Sequence, residues 1–240
     1  MKTWMRKIWA VAILPAFAVA AQDVDLYNNM TSPSSGYVLD LPNGQTVGQQ
    51  IFLANNYLDY PTLGNGITFS IVYYSLDASF SGDVTADVQF YLNDGPTVSG
   101  YNSPDTLFYD SGPFTLQTPQ SALGSGSDAA VLSFSQADLY SDALTNLNPS
   151  MPMPSNFTVC MTITGLEGSD EVGLPLGSAP TVGYNYGDYW FNNNGNDWEL
   201  LEGTVPIKVR IEVDIPEPST LCLAAVGAAL LAGFATRRRQ

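Results

Sequence analysis

The sequence contains no histidine. That absence removes Ser-His-Asp and Cys-His catalysis at one stroke, together with every metal site built on imidazole. Cysteine is nearly as scarce. Cys222 sits in a C-terminal apolar run, which leaves Cys160 alone in the body of the chain. No internal disulfide can tie that body together, and Cys160, between Val159 and Met161, reads as a buried structural thiol. Basic residues number eight in all. Only Lys208 and Arg210 fall between residues 22 and 215, against 22 acids, a net charge of −20 for that stretch. So strong a negative field argues against nucleic acid and anionic membrane surfaces as partners. It suits solubility, and it is compatible with divalent cations.

Both ends of the chain depart from this composition. Lys2, Arg6 and Lys7 open the sequence, an apolar run follows from Ile8 to Val19, and small residues stand at Ala18, Ala20 and Ala21. This is the three-part pattern of a secretory signal peptide, with cleavage after Ala20 or Ala21. The run is short for a membrane span, which needs ~20 residues, and Pro15 interrupts it. At the other end, Leu221 to Thr236 forms 16 mostly apolar residues without a charge, closed by Arg237, Arg238 and Arg239. As a helix at ~1.5 Å per residue it is about 24 Å long, somewhat short of a ~30 Å hydrocarbon core. The arginines belong in the cytoplasm under the positive-inside rule, which puts the body of the chain outside. The expected organisation is a signal peptide over 1–21, an ectodomain over 22–214, and a terminal segment over 215–240 with a transmembrane helix at 221–236.

Within the body, apolar residues alternate with period two. Val205, Ile207, Val209, Ile211 and Val213 alternate with Pro206, Lys208, Arg210, Glu212 and Asp214, a strand with one buried and one wet face. Ile67 to Tyr73 makes another after Gly64-Asn65-Gly66, and Val84 to Leu92 a third before Asn93-Asp94-Gly95-Pro96. Weaker strands are expected at Val47 to Ala54, Leu107 to Tyr109, Phe114 to Leu116, Val131 to Phe134, Phe157 to Ile163 and Val182 to Tyr184. Gln136 to Asn146, with Ser135 as N-cap, offers a short helix, and 121–128 and 148–154 read as irregular connections. The expected fold class is all-β, a jelly-roll-like β-sandwich of about nine strands, flanked by the signal helix and the C-terminal transmembrane helix. High strand count and the missing cysteine pair favour this over an immunoglobulin-type sandwich.

The chain ends Ile215-Pro216-Glu217-Pro218-Ser219-Thr220, then the apolar run, then Arg237-Arg238-Arg239-Gln240. This resembles the PEP-CTERM sorting signal of Gram-negative, biofilm-forming bacteria: a Pro-Glu-Pro tripeptide, a transmembrane helix and a basic tail. The resemblance implies processing by exosortase, a multi-spanning membrane protease that recognises the Pro216-Glu217-Pro218 region and removes the helix. It further implies release to the cell surface or to extracellular polysaccharide. The two prolines fix φ, and Pro218 disfavours helix at Glu217, so the motif is extended and open to a protease. Arg237 to Arg239 stop translocation. A permanent single-pass anchor is the alternative. In the body, Val47 to Ile51, Phe90 to Gly95, Leu107 to Phe114 and Pro180 to Gly183 followed by Asp188-Tyr189-Trp190 resemble other PEP-CTERM ectodomains. That resemblance implies surface location and a β-sandwich, and it brings no activity or binding residues.

One stretch concentrates chemistry. Tyr184, Tyr186, Asp188, Tyr189, Trp190, Phe191, Asn192 to Asn194, Asn196, Asp197, Trp198 and Glu199 lie between Gly183 and Gly203. Flat aromatic faces beside amides and carboxylates suit a sugar, so Tyr186, Asp188, Tyr189, Trp190 and Trp198 are candidate polysaccharide-binding residues. A β-hairpin turning at Asn192 to Gly195 accounts for the same residues without a ligand. Structural calcium is a weaker expectation, from Asn93, Asp94 and Gly95 or from Asp188 with Asn192 to Asp197, since no Asp-x-Asp-x-Asp-Gly loop is present. No catalytic residue is assigned. A glycoside hydrolase would need two opposed carboxylates, with Asp94, Asp110 and Asp188 the first to inspect. The expectation is therefore a non-enzymatic structural or adhesive surface component without a cofactor, with a polysaccharide-binding module as the alternative.

Overall fold

The alternating segments form the strands that their periodicity demands, because only pairing into sheets satisfies an extended backbone while one face is buried. The computed structural model describes residues 22–31, 34–54, 67–124, 126–135, 154–193 and 197–215. In chain order the strands are β1 (Gln22–Asn28), β2 (Ser34–Asp40), β3 (Gln45–Phe52), β4 (Ile67–Tyr74), β5 (Thr85–Tyr91), β6 (Thr97–Val98), β7 (Tyr101–Asn102), β8 (Leu107–Asp110) and β9 (Phe114–Thr115). A single-turn helix α1 (Pro119–Leu123) follows, with Thr118 as N-cap and Pro119 at its first position. Then come β10 (Ala129–Ser135), β11 (Asn156–Thr164), β12 (Gly173–Gly177), β13 (Tyr184–Asn185), β14 (Tyr189–Asn193), β15 (Trp198–Leu201) and β16 (Val209–Ile215).

These strands make two large antiparallel sheets. The first runs β1-β16-β4-β12-β2, with β10 also paired to β4. The second runs β15-β14-β3-β11-β5-β8, with β13 on β3 and β9 on β5. The chain passes from one sheet to the other at nearly every step from β2 to β5 and from β9 to β13. The inward faces share one apolar core, in which Phe69 and Ile71 of β4 meet Val47, Ile51, Phe90, Phe157 and Val159 of the second sheet. The Phe69 and Phe90 rings cross that interface edge to face at 4.7 Å. Fully burying each such side chain is worth about 1.5–3 kcal/mol. Residues 23–215 form one compact unit.

All nine expected segments contribute strand, and the all-β class stands. The differences have physical causes. The strand expected from Val205 begins at Val209. Residues 206–208 lie against β12 instead: Pro206 O accepts from Gly177 N, and Lys208 N donates to Pro175 O. The buried side chains Gln49 and Asn29 take the N–H and C=O of Ile207. Three strands of four or more residues were not anticipated: β1, β2 and β12. In β12 all five residues, Gly173 to Gly177, are buried, so no alternation marks it. The Gly64-Asn65-Gly66 turn, the 136–146 helix, the signal helix and the transmembrane helix lie outside the described residues.

Candidate functional site

Period two decides which face each residue of the second sheet presents. In β14, Tyr189 points into the core and donates its hydroxyl to Val205 O. Burial pushes its pKa up to about 12. Trp190 points the other way and is nevertheless only 1% exposed. Its row across the outer face reads Leu200, Trp190, Gly48, Cys160, Gln89 and Asp110, one residue per strand. Gly48 is the key to that row: a Cβ there would stand 2.4 Å from Cys160 Sγ and 2.8 Å from Val159 O. Cys160 is fully buried, and that burial pushes its thiol pKa well up. The outer face thus carries a second, smaller core.

The next row is polar. Trp198, Asn192, Thr46, Thr162 and Asp87 stand in register on β15, β14, β3, β11 and β5. Thr46 and Thr162 share a 2.7 Å hydrogen bond between hydroxyls. Asn192 Oδ1 is buried and has no hydrogen-bond partner among the described residues. Trp198 on β15 and Tyr91 on β5 meet edge to face with centroids 5.4 Å apart. On a flat sheet the four inter-strand steps between them would span about 19 Å. The ring contact therefore means that this face is concave.

Two carboxylates converge at one end of the face. Gln89 Nε2 donates to Asp87 Oδ2 at 3.1 Å and to Asp110 Oδ2 at 3.3 Å. Tyr91 donates its hydroxyl to Gln89 Oε1 at 2.9 Å. Burial, then the nearby Cys160, Asp110 and Asp87, raise the Tyr91 pKa. Beside β3 a tyrosine cluster projects outward. Tyr186 packs on Tyr101 at 4.9 Å, on Phe52 at 5.1 Å and on Tyr184 at 5.1 Å. Tyr184 is 52% exposed and Tyr186 44%. Asp188 accepts from Gly203 N at 3.0 Å and from the Tyr101 hydroxyl.

Of the five candidate sugar-binding residues, the structure brings Tyr186 and Asp188 together around Tyr101 and sets Trp198 against Tyr91. Tyr189 and Trp190 are buried, so neither offers a ring face to solvent. The strand pairing that the hairpin account needs is present, β14 to β15 from Tyr189↔Leu201 to Asn192↔Trp198, but Asn192 and Asn193 belong to the strand and not to the turn, and residues 194–196 lie outside the described residues. The three acids singled out for hydrolysis are held by separate donors. Asp94 accepts from Thr106 N and Oγ1, Asp110 from Gly112 N and Gln89, and Asp188 from Gly203. Asn93, named for calcium, instead bonds Thr158 and Asn156. Among the described residues no group of three or more Asp, Glu, Cys or His converges as metal ligands do. Sequence reasoning missed Asp87, Gln89 and Tyr91, although period two in β5 already set them on one face.

The final strand leads straight into the chain terminus. Residues 214–239 match the PEP-CTERM protein-sorting motif. The motif begins on the last two residues of β16, and the rest of it lies outside the described residues. A PEP-CTERM motif implies an exported protein, processed by the membrane protein exosortase and sorted to the cell surface. No helix among the described residues is long and apolar enough to cross a membrane. No curated protein and no solved structure matches the chain.

Proposed function

We propose that this PEP-CTERM protein is a non-catalytic structural or adhesive component of the cell surface or extracellular matrix. The observation that carries the proposal is the sorting motif at residues 214–239, continuous with the last strand of an acidic two-sheet domain. The precursor has a signal peptide over 1–21, a jelly-roll-like sandwich over 22–214, and a single transmembrane helix over 221–236 that exosortase removes after acting at Pro216-Glu217-Pro218. The alternation of the chain between sheets supports the jelly-roll assignment. The use of Asp94, Asp170 and Asp188 to hold turn backbones supports a structural role for the acids.

Restoration of matrix cohesion in a deletion strain tests this. Wild type and a chain carrying Asp87→Asn with Asp110→Asn are expected to restore it equally. Release of reducing ends from the host polysaccharide by wild type, lost in that variant, would make the protein a hydrolase. A second reading, a polysaccharide-binding module, is favoured by the concave outer face with its exposed Tyr184 and Tyr186. Titration of the protein with the host polysaccharide, with and without added calcium, tests that reading and whether the module is calcium-assisted.

A further inference from the structure

The hairpin of β6 and β7 pairs with neither large sheet. Ser99 and Gly100 turn it, both at positive φ (51° and 91°), as a two-residue connection requires. A lone hairpin is marginal by itself, so the contact its Tyr101 makes with the body matters. The Tyr101 ring lies 4.9 Å from that of Tyr186, with 58° between their planes. Tyr186 in turn stands 5.1 Å from Tyr184, and both lean on Phe52. These are the two tyrosine–tyrosine ring contacts among the described residues, and the first sits at the close end of the ~4.5–7 Å over which aromatic rings pair.

The cluster is open to a reagent: Tyr184 and Tyr186 are exposed, whereas Tyr27, Tyr73, Tyr109 and Tyr189 are buried. The Tyr101 hydroxyl donates to Asp188, and the phenols of Tyr184 and Tyr186 are the other titratable groups that face it. Desolvation, then Asp188 and those two phenols, raise the Tyr101 pKa. Phenolate is therefore scarce near neutral pH, and a carboxylate stands where a departing proton would go. Other routes to a covalent link are nearly closed. The body has one cysteine, Cys160, which is fully buried, and one lysine, Lys208.

We infer that Tyr101 and Tyr186 are a site of oxidative coupling, joined as a dityrosine by hydrogen peroxide acting through a one-electron oxidant of the haem-peroxidase class. Each phenol gives up one electron and its hydroxyl proton, the Tyr101 proton passing to Asp188. The two phenoxyl radicals then couple ortho carbon to ortho carbon, forming one C–C bond. Each of those carbons loses its hydrogen as a proton while a proton returns to each oxygen, which restores both phenols. In all, two electrons and two protons leave the rings, and they reduce one hydrogen peroxide to two waters. The bond staples the hairpin to the loop after β13. A cross-link stabilises by restricting the unfolded chain, most strongly when it closes a long loop. The inference adds a covalent bond to the structural reading and does not depend on it, nor on the polysaccharide reading.

The test is mild oxidation of the full chain, dilute in an alkyl maltoside, with a haem peroxidase and limiting hydrogen peroxide. Monomer is isolated, cleaved at its aspartates and mapped by mass. The expected product is a linked peptide pair holding Tyr101 and Tyr186, lighter than its parts by two hydrogens. It should be at least about fivefold more abundant than any other tyrosine pair, because neighbours already held together react at a high effective concentration. Tyr101→Phe and Tyr186→Phe keep the rings and should each abolish the pair, while Tyr184→Phe should leave it. Asp188→Asn should slow coupling about tenfold near pH 6 and less near pH 9, where more phenolate is present and no base is needed. Equal slowing at both would remove the proton-accepting role of Asp188. The coupled monomer should melt about 5–10 °C higher, and an unchanged melting point would refute the stabilising effect. Linkage confined to dimers, linkage through other rings, or no dityrosine would overturn the site. Protein released from the cell surface should carry the same linked pair, and its absence there would overturn the modification in the cell.

Discussion

Replacing Gly48 with alanine should destabilise the domain by about 1–2 kcal/mol, although alanine ordinarily improves on glycine in a strand. Gly48 is paired on both sides, to Cys160 of β11 and to Trp190 of β14, so its strand cannot slide away from an added methyl. The new carbon would sit 2.4 Å from Cys160 Sγ, 2.8 Å from Val159 O and 3.0 Å from Thr158 Cγ2. All three neighbours belong to fully buried residues, and one is backbone. Overpacking of this kind costs about 1–3 kcal/mol, offset by roughly 0.4–1 kcal/mol from the stiffer unfolded chain. For a domain of this size, 1–2 kcal/mol corresponds to a melting point lowered by about 2–8 °C. Urea and thermal denaturation of Gly48→Ala, Cys160→Ala and the double variant give the full cycle. Removing Sγ relieves the tightest contact and leaves Val159 O, so the double variant should recover part of the loss, with a coupling of about 0.5–1.5 kcal/mol. A Gly48→Ala protein as stable as wild type would refute the packing described for the outer face.

Other expectations follow from single features. Asn29 donates to Ile207 O and accepts from Val209 N, both buried, so Asn29→Ala should cost about 2–5 kcal/mol in urea denaturation. A loss below 0.5 kcal/mol would contradict that bridging role. Hydrogen bonds from Thr106 hold the Asp94 carboxyl below its ordinary value, and those from Ser81, Gly82 and Glu167 do the same for Asp170. A depressed folded pKa means stability present above the unfolded value of 3.8 and lost as pH falls through the folded one. The acid limb of a stability profile should therefore steepen below about pH 4 and flatten in Asp94→Asn with Asp170→Asn. At the alkaline end the sign reverses: Tyr189 ionises near 10 when unfolded and about 12 when folded, so stability present below pH 10 is lost as pH rises towards 12. Absorbance at the tyrosinate band should show that loss as a late step coincident with unfolding, and Tyr189→Phe should reduce it.

The fold was legible wherever one face of a strand is wet. Val84 to Leu92 and Ile67 to Tyr73 announced β5 and β4 because alternation needs only a core on one side. Gly173 to Gly177 was silent because both faces are covered, and the Val205 to Val213 pattern overran its strand because side chains of Asn29 and Gln49 stand in for a strand neighbour. In the candidate site, Tyr186, Asp188 and Trp198 were visible as an aromatic and polar stretch. The same composition made Trp190 and Tyr189 look accessible, since sequence does not separate a ring that floors a concave face from one that tops it. Asp87 and Asp110 lie 23 residues apart in the chain, and only the β5–β8 pairing brings them to one glutamine.

We propose that the C-terminal segment delivers this domain to the surface and is removed there, and intact-mass analysis of the protein released from the cell surface decides it. The expected species begins at Gln22 or Ala21, ends near Pro216-Glu217-Pro218 and lacks Leu221 to Thr236. Deleting Arg237 to Arg239, or replacing Pro216 to Pro218 with alanines, is expected to abolish the released form. Released protein that still carries the whole Leu221 to Thr236 segment would contradict it.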